Sequence, residues 1–291
     1  MKKHSIVFCG TPDFAVPSLR ALVTSDVFDV QLVITQPDRP VGRSKELLSP
    51  PVKNAARELG IPVLQPEKLN AEFPTIAASI DRPDFLVVVA YGQLLSQAIL
   101  DWPRLAPINV HGSLLPRWRG ASPVEHAILH GDTDTGIAVQ RMVKELDAGP
   151  LLGMTSTTIG ERETARTLRA RLSTLGAALL VDVLSKPLTE TPQPLEGITI
   201  CRKLSRDDGK ADTTTKTAKH IDRLVRALNP WPSVTAIVSG REVKILETSL
   251  EPTENSTAVA CAEGTTVHIL MVQEAGKKAM TGAEWARGIR S

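Results

Sequence analysis

INVHGSLLPRWRG, residues 108–120, ends an apolar run with an amide and an imidazole two positions apart, then turns at once through Gly112 and Pro116. In an extended segment alternate side chains share a face, so Asn109 and His111 can converge on one small volume. An amide N–H suits an oxygen that becomes negative, and an imidazole moves protons near neutral pH. Taken singly, each is an ordinary strand-end or turn residue. Their meaning depends on where this strand end lies.

The run belongs to a series. SIVFC (5–9), VQLVIT (30–35), FLVVVA (85–90), INV (108–110) and GIAVQRM (136–142) alternate with helical patterns such as VPSLRALV, PVKNAARELG and SPVEHAILHG. Continuous apolar strands separated by helices predict an α/β fold, a mostly parallel sheet with helices on both faces. Ligands bind such sheets beyond the carboxyl ends of the strands, which is where His111 falls. KELDAGP (144–150) follows the last strand and carries Asp147 in a Gly/Pro loop, expected at the same end of the sheet and able to orient the imidazole.

A long amphipathic stretch, residues 164–185, closes this domain, and the proline-rich, aperiodic KPLTETPQPLEG (186–197) reads as a linker. Beyond it, helical HIDRLVRAL (220–228) precedes short strand candidates TAIVS, EVKILETS, TAVACAE and TVHILMVQE, separated by turn signals. Strands at this spacing suggest a small β-barrel or sandwich. The expected division is 1–189 for the catalytic domain, 190–208 for the linker and 209–291 for the smaller domain.

Composition narrows the classes. With 291 residues and 42% hydrophobic content the chain can bury a core, and 34 Lys plus Arg against 32 Asp plus Glu argue by themselves for neither nucleic acid nor membrane. Residues 201–291 lean basic, with Arg202, Lys203, Arg206, Lys210, Lys216, Lys219, Arg223 and Arg226 in a short span. Cys9, Cys201 and Cys261 make neither a disulfide framework nor a zinc motif and fit a reducing cytoplasm. No stretch approaches a membrane span, so a soluble, unexported protein is expected.

Competing motifs fail on spacing. FCGTPDFAVP has one glycine where a dinucleotide fingerprint needs three, and Lys45 lacks the glycine frame of a phosphate-binding loop. His126 and His130 are four apart on one helical face but lack the glutamate and third ligand of a zinc site, so no metal is expected. TQPDRPVGRSKEL (35–47) reads as a polar loop after a strand, at the ligand end of the sheet, with Arg39, Arg43 and Lys45 as its cations.

INVHGSLLPRWRG and LDAGP together resemble the folate-dependent formyltransferases: an N-x-H pair, a following S-L-L-P-x-x-R-G stretch, and an aspartate loop. The resemblance extends to IVFCGTPDFAVPSL, TQPDRPVGRSKEL, VVVAYGQLL, RALNPWP and AGKKAM, nearly the whole chain, and is strongest to members that formylate methionyl initiator tRNA for translation initiation. It implies a Rossmann-like catalytic domain and a C-terminal β-barrel that helps hold tRNA. It further implies 10-formyltetrahydrofolate as formyl donor and no obligate protein partner. Asn109, His111 and Asp147 become the catalytic set, and Ser113, Leu114, Leu115 and Pro116 the folate contacts. Arg43, with Arg39 and Lys45, becomes the contact to the tRNA acceptor end, and Lys203, Arg206 and Lys210 further tRNA contacts. Two rivals stay open: formylation of a small amine, which RALNPWP and AGKKAM disfavour, and a noncatalytic RNA- or folate-binding protein, which the complete triad disfavours.

Overall fold

The computed structural model describes residues 3–41 and 46–290, with backbone alone at Val41 and Arg290. By contacts the chain divides into two units: Met1–Arg119 with Thr135–Thr157 and Arg169–Ile200, and Gly120–Asp134 with Thr158–Leu168 and Cys201–Ser291.

The first unit is built on seven strands, β1 (His4–Gly10), β2 (Phe28–Ile34), β3 (Val63–Leu64), β4 (Phe85–Val89), β5 (Ala106–His111), β6 (Asp134–Arg141) and β7 (Leu151–Thr158), in the order β7-β6-β5-β4-β1-β2-β3. Pairs β1/β2, β2/β3, β1/β4 and β4/β5 are parallel. Every residue of β4 is buried, as a strand covered on both faces requires. Val7, Cys9, Leu32, Ile34, Leu86 and Val88 form one core cluster with Leu69 and Ile76 of a helix, Leu69–Ser79, that had no clear sequence signal. The chain runs outward from β1 through β2 to β3 and then returns to β4 on the other side of β1, so the strand order reverses between β1 and β4. Gly10 ends β1 there, where a Cβ would stand 2.7 Å from the Phe8 ring and 2.9 Å from Ala15 Cβ.

One strand departs from the parallel expectation. β6 runs antiparallel to β5, with Ile108 opposite Arg141, Asn109 opposite Gln140 and His111 opposite Ala138. The loop carrying Asp147 therefore leaves from the amino-terminal side of β5, not from the end where His111 lies. A second correction concerns residues 35–47. Arg39–Val41 and Glu46–Leu48 pair as an antiparallel ribbon instead of forming a loop, with Arg39 opposite Leu48 and Val41 opposite Glu46. A two-strand ribbon leaves one edge of each strand unpaired, so Pro40 forfeits no ladder bond there. Arg43 and Lys45 lie outside the described residues.

The second unit holds a smaller antiparallel sheet: β8 (Val234–Val238), β9 (Arg241–Ser249), β10 (Thr257–Ala260), β11 (Thr266–Glu274) and β12 (Met280–Thr281). Its order is β8-β9-β11-β10, with β12 on β11. In β8 the side chains of Val234, Ala236 and Val238 are buried while Ile237 is exposed, the alternation of a sheet with one covered face. Helix Ala218–Leu228 buries Ile221, Leu224, Val225 and Leu228 along one stripe, and Thr217 caps its first turn by accepting from the His220 backbone N–H. Helix Pro123–His130 packs on this helix within the same unit, although its sequence position suggested a place among the strands of the large sheet.

Candidate active site

β5 presents Asn109 and His111 on one face, and Gln140 stands directly opposite Asn109 on β6. All three point to Asp147. Its Oδ1 accepts from Asn109 Nδ2 at 3.2 Å and from Gln140 Nε2 at 3.0 Å, and its Oδ2 lies 3.6 Å from His111 Nδ1. The side chains of His111 and Asp147 are 6% and 10% exposed, so these charges act with little screening by water.

Asp147 reaches this position because the loop folds back. Arg141 N–H bonds Pro150 O at 3.0 Å, closing the base of the loop, and Asp147 itself adopts a left-handed backbone at φ 50°. Aspartate is among the few non-glycine residues that take this region readily. Two residues on, Gly149 lies so close to the Arg141 carbonyl that a Cβ would fall 1.8 Å from its oxygen. The glycine of LDAGP is thus required for the loop to close.

His111 is oriented by a group the sequence does not advertise. Its Nε2 lies 2.8 Å from the backbone carbonyl of Trp118. A carbonyl only accepts, so Nε2 carries the hydrogen and the nitrogen facing Asp147 is Nδ1. The Asp147 contact is of ion-pair length, longer than a hydrogen bond. The ring-orienting bond expected from Asp147 is therefore made by Trp118, and the carboxylate is placed to balance charge on the ring. The stretch between explains its own composition. Arg117 N–H closes a turn onto Leu114 O at 3.0 Å, the Ser113 hydroxyl donates to Arg117 O at 2.5 Å, and Trp118, at φ 60°, directs its carbonyl back to the imidazole.

The other expected contacts fall as follows. Ser113 is buried with its hydroxyl engaged in that turn, and Leu115 packs with Ala138 and Leu151, which leaves Leu114 and Pro116 half-buried. Arg39 is exposed and pairs with Glu67 at 2.8 Å. Lys203 and Arg206 are exposed, and Lys210 pairs with the exposed Asp207 at 2.7 Å. Arg226 does not belong with them. Its side chain is 13% exposed, and its guanidinium lies 2.8 Å from the buried Asp222 and donates to the Glu163 carbonyl at 3.0 Å. Asn229 of RALNPWP donates to the carbonyls of Ile245 and Leu246, tying the helix end to β9. His126 and His130 bond backbone carbonyls one turn back, those of Ser122 and His126, and burial holds the His126 imidazole below its ordinary range. Among the described residues no helix is long and apolar enough to cross a membrane.

Sequence reasoning missed Gln140, Gln193 and the Trp118 carbonyl. Gln140 could have been found only from the register of β5 on β6, because a glutamine in a strand carries no motif.

Against known families, residues 3–184 match the formyl transferase model and residues 203–290 the model of the formyl transferase C-terminal domain. Methionyl-tRNA formyltransferase of Paracoccus denitrificans is 40% identical over 292 residues, covering 98% of this chain and 97% of that one. The enzyme of the same name from Halorhodospira halophila is 42% identical, covering 98% and 96%. The fold also matches a crystal structure of an N-formyltransferase from Helicobacter canadensis in complex with folinic acid and dTDP-3-aminofucose, with a TM-score of 0.67 at 16% identity over 92% of this chain and 99% of that one. The chain belongs to the formyl transferase family.

Proposed function

We propose that the chain transfers the formyl group of 10-formyltetrahydrofolate to the α-amino group of methionyl initiator tRNA, in the cytoplasm. The observation that carries this reading is the meeting of a side-chain amide, an imidazole and a carboxylate within 3.6 Å at the end of β5, in a family of formyl transferases. That donor set fits acyl transfer to a neutral amine.

A free α-amino group titrates at about 7.7–8.0, so the aminoacyl nucleophile is available near neutrality without a strong base. Its attack on the formyl carbon produces negative charge on the formyl oxygen and positive charge on the nitrogen. Asn109 answers the first: an amide NH2 has two hydrogens, one held by Asp147 and one for the oxyanion. His111 answers the second. With hydrogen fixed on Nε2, its Nδ1 accepts the ammonium proton and returns it to the departing folate nitrogen, while Asp147 stabilises the ring in its charged form. Ser113 through Pro116 form the wall that meets the folate, Ser113 and Leu115 through their backbone because their side chains are buried. Arg43, flanked by Arg39 and Lys45, holds the acceptor end of the tRNA. Residues 1–189 carry the chemistry, and 209–291, with Lys203, Arg206 and Lys210 at its approach, carries further tRNA contacts.

The test is transfer of labelled formyl from 10-formyltetrahydrofolate to charged initiator tRNA, with glycinamide ribonucleotide as the competing acceptor. Label on the tRNA and none on the ribonucleotide is expected; the reverse pattern overturns the acceptor assignment, and label on neither overturns the enzyme.

A further inference from the structure

We infer that Gln193 is a positioning residue that sets the Asp147 carboxylate in its working geometry; this rests on the catalytic reading of Asp147 above. Gln193 lies in the proline-rich stretch that the sequence presents as a mere connector, yet it is 9% exposed and every polar atom of its side chain is engaged. Its Nε2 donates to the Asp147 carbonyl at 2.8 Å and to the Gly149 carbonyl at 2.7 Å. Its Oε1 accepts from Arg119 Nε at 3.0 Å and from Arg119 Nη2 at 2.7 Å. A planar fork on one side and two loop carbonyls on the other fix the amide in orientation as well as place.

The approach of this stretch is itself built in. Thr191 and Leu151 exchange both backbone hydrogen bonds, at 2.8 and 2.9 Å, which lays the segment along the start of β7 and delivers Gln193 to the inner side of the loop. The loop needs such a hold, since Val143, Lys144, Glu145 and Leu146, which precede Asp147, are all exposed. Holding the peptide carbonyls of Asp147 and Gly149 keeps the left-handed turn at Asp147 and thereby aims its side chain at Asn109, Gln140 and His111. Gln140 completes the relay, its Oε1 3.3 Å from Gln193 Nε2 and its own Nε2 on Asp147 Oδ1. Gln193 touches no reacting atom in this scheme; its effect passes through Asp147.

A double-mutant cycle in the full-length enzyme separates positioning from plain structural support. Gln193→Met keeps the length and removes all five of its side-chain hydrogen bonds. A carboxylate misplaced by ~1 Å can cost about 10²-fold, so a kcat loss of about 30-fold is expected, with KM for both substrates changed by less than about threefold. In an Asp147→Asn background the same change is expected to cost less than about twofold, because the group it positions is already gone. Equal losses in the two backgrounds, or a folded Gln193→Met enzyme with the parent kcat, overturn the inference. Gln193→Glu is read in its place if Gln193→Met does not yield folded protein. It keeps the acceptor for Arg119 but cannot donate to the two carbonyls, and the same outcomes apply. Asp147→Asn alone at the parent rate refutes the catalytic reading of Asp147, whatever Gln193 does.

Discussion

Asp147 and Lys210 are both charged residues in segments assigned to function, and their surroundings differ in kind. Asp147 is nearly sealed from water and meets two side-chain amides and an imidazole, while a third amide, from Gln193, holds its peptide carbonyl. Lys210 stands 74% exposed against an aspartate that is 80% exposed. In the first setting each group depends on partners that cannot be replaced by solvent, so removing one leaves another desolvated and unpaired. In the second, water substitutes for any lost partner, and a cation contributes by releasing counterions from a nucleic-acid backbone. The proposed chemistry thus falls where geometry is over-determined, and the proposed attraction where it is loose.

The sharpest way to break this contrast is at the site. Asn109→Ala and His111→Ala are expected to stay folded, with Tm lowered because each leaves a buried partner unpaired, yet lose about 10²-fold or more in kcat, the usual result of removing a preorganised donor or an acid–base group. Near-normal turnover in steady-state assays would make them structural residues and dissolve the comparison. Next in size is a buried ion pair away from the site. Asp222 is 3% exposed and bonds Arg162, Arg226 and Thr248, so Asp222→Ala is expected to lower stability by about 3 kcal/mol in urea unfolding by stranding Arg226. A loss of tRNA affinity with unchanged stability would instead place Arg226 among the tRNA contacts.

Arg43→Ala is expected to raise KM for charged initiator tRNA about tenfold at constant folate affinity, and Arg43→Lys to recover part of it, since a point charge lacks the fork. Equal handling of initiator tRNA and of a version with an altered first acceptor pair would remove Arg43 from discrimination. Lys203→Ala, Arg206→Ala and Lys210→Ala should each weaken tRNA binding less than about threefold and reduce the salt slope by about 1, read from binding titrations at several salt concentrations. The smallest effect concerns acid. The Arg202 guanidinium beside Asp208 holds its carboxyl at about 2, below the ordinary 3.8. A carboxyl lowered on folding adds stability above its unfolded value, and that contribution fades as pH falls from 3.8 through 2. The Tm of Arg202→Ala should therefore lie below that of the parent at pH ~6 and converge with it toward pH ~2; a constant gap would assign the difference to packing.

How far the sequence could be read follows the same physics. Runs such as FLVVVA announce a buried strand because continuous apolarity has few other uses, and Asn109 and His111 were legible as a pair because strand period needs no tertiary knowledge. The sequence brings Asp147 to the site only on the premise that β6 ends on the same side as β5, and Ile108 opposite Arg141 places its end on the other. The loop restores the outcome by folding back. Strand direction is decided by a crossover and not by the strand's own residues. Gln193 and the Trp118 carbonyl were invisible for a related reason, since one acts across 46 positions and the other has no side chain to recognise. Arg226 misled by composition, because charge in a sequence does not reveal which cation is covered.

The margins of the large sheet carry a consequence for solubility. At one edge it stops in Val63–Leu64, a strand of two residues, too short a row of open N–H and C=O groups for another chain to extend. At the other edge, Met154, Ser156 and Thr158 of β7 face outward, and Leu151 is already occupied by Thr191. A core whose central strands are apolar at nearly every position would, if left open at its rims, template fibrils or edge-to-edge stacks. A stub on one side and a partly polar, partly capped strand on the other leave little open edge for such pairing.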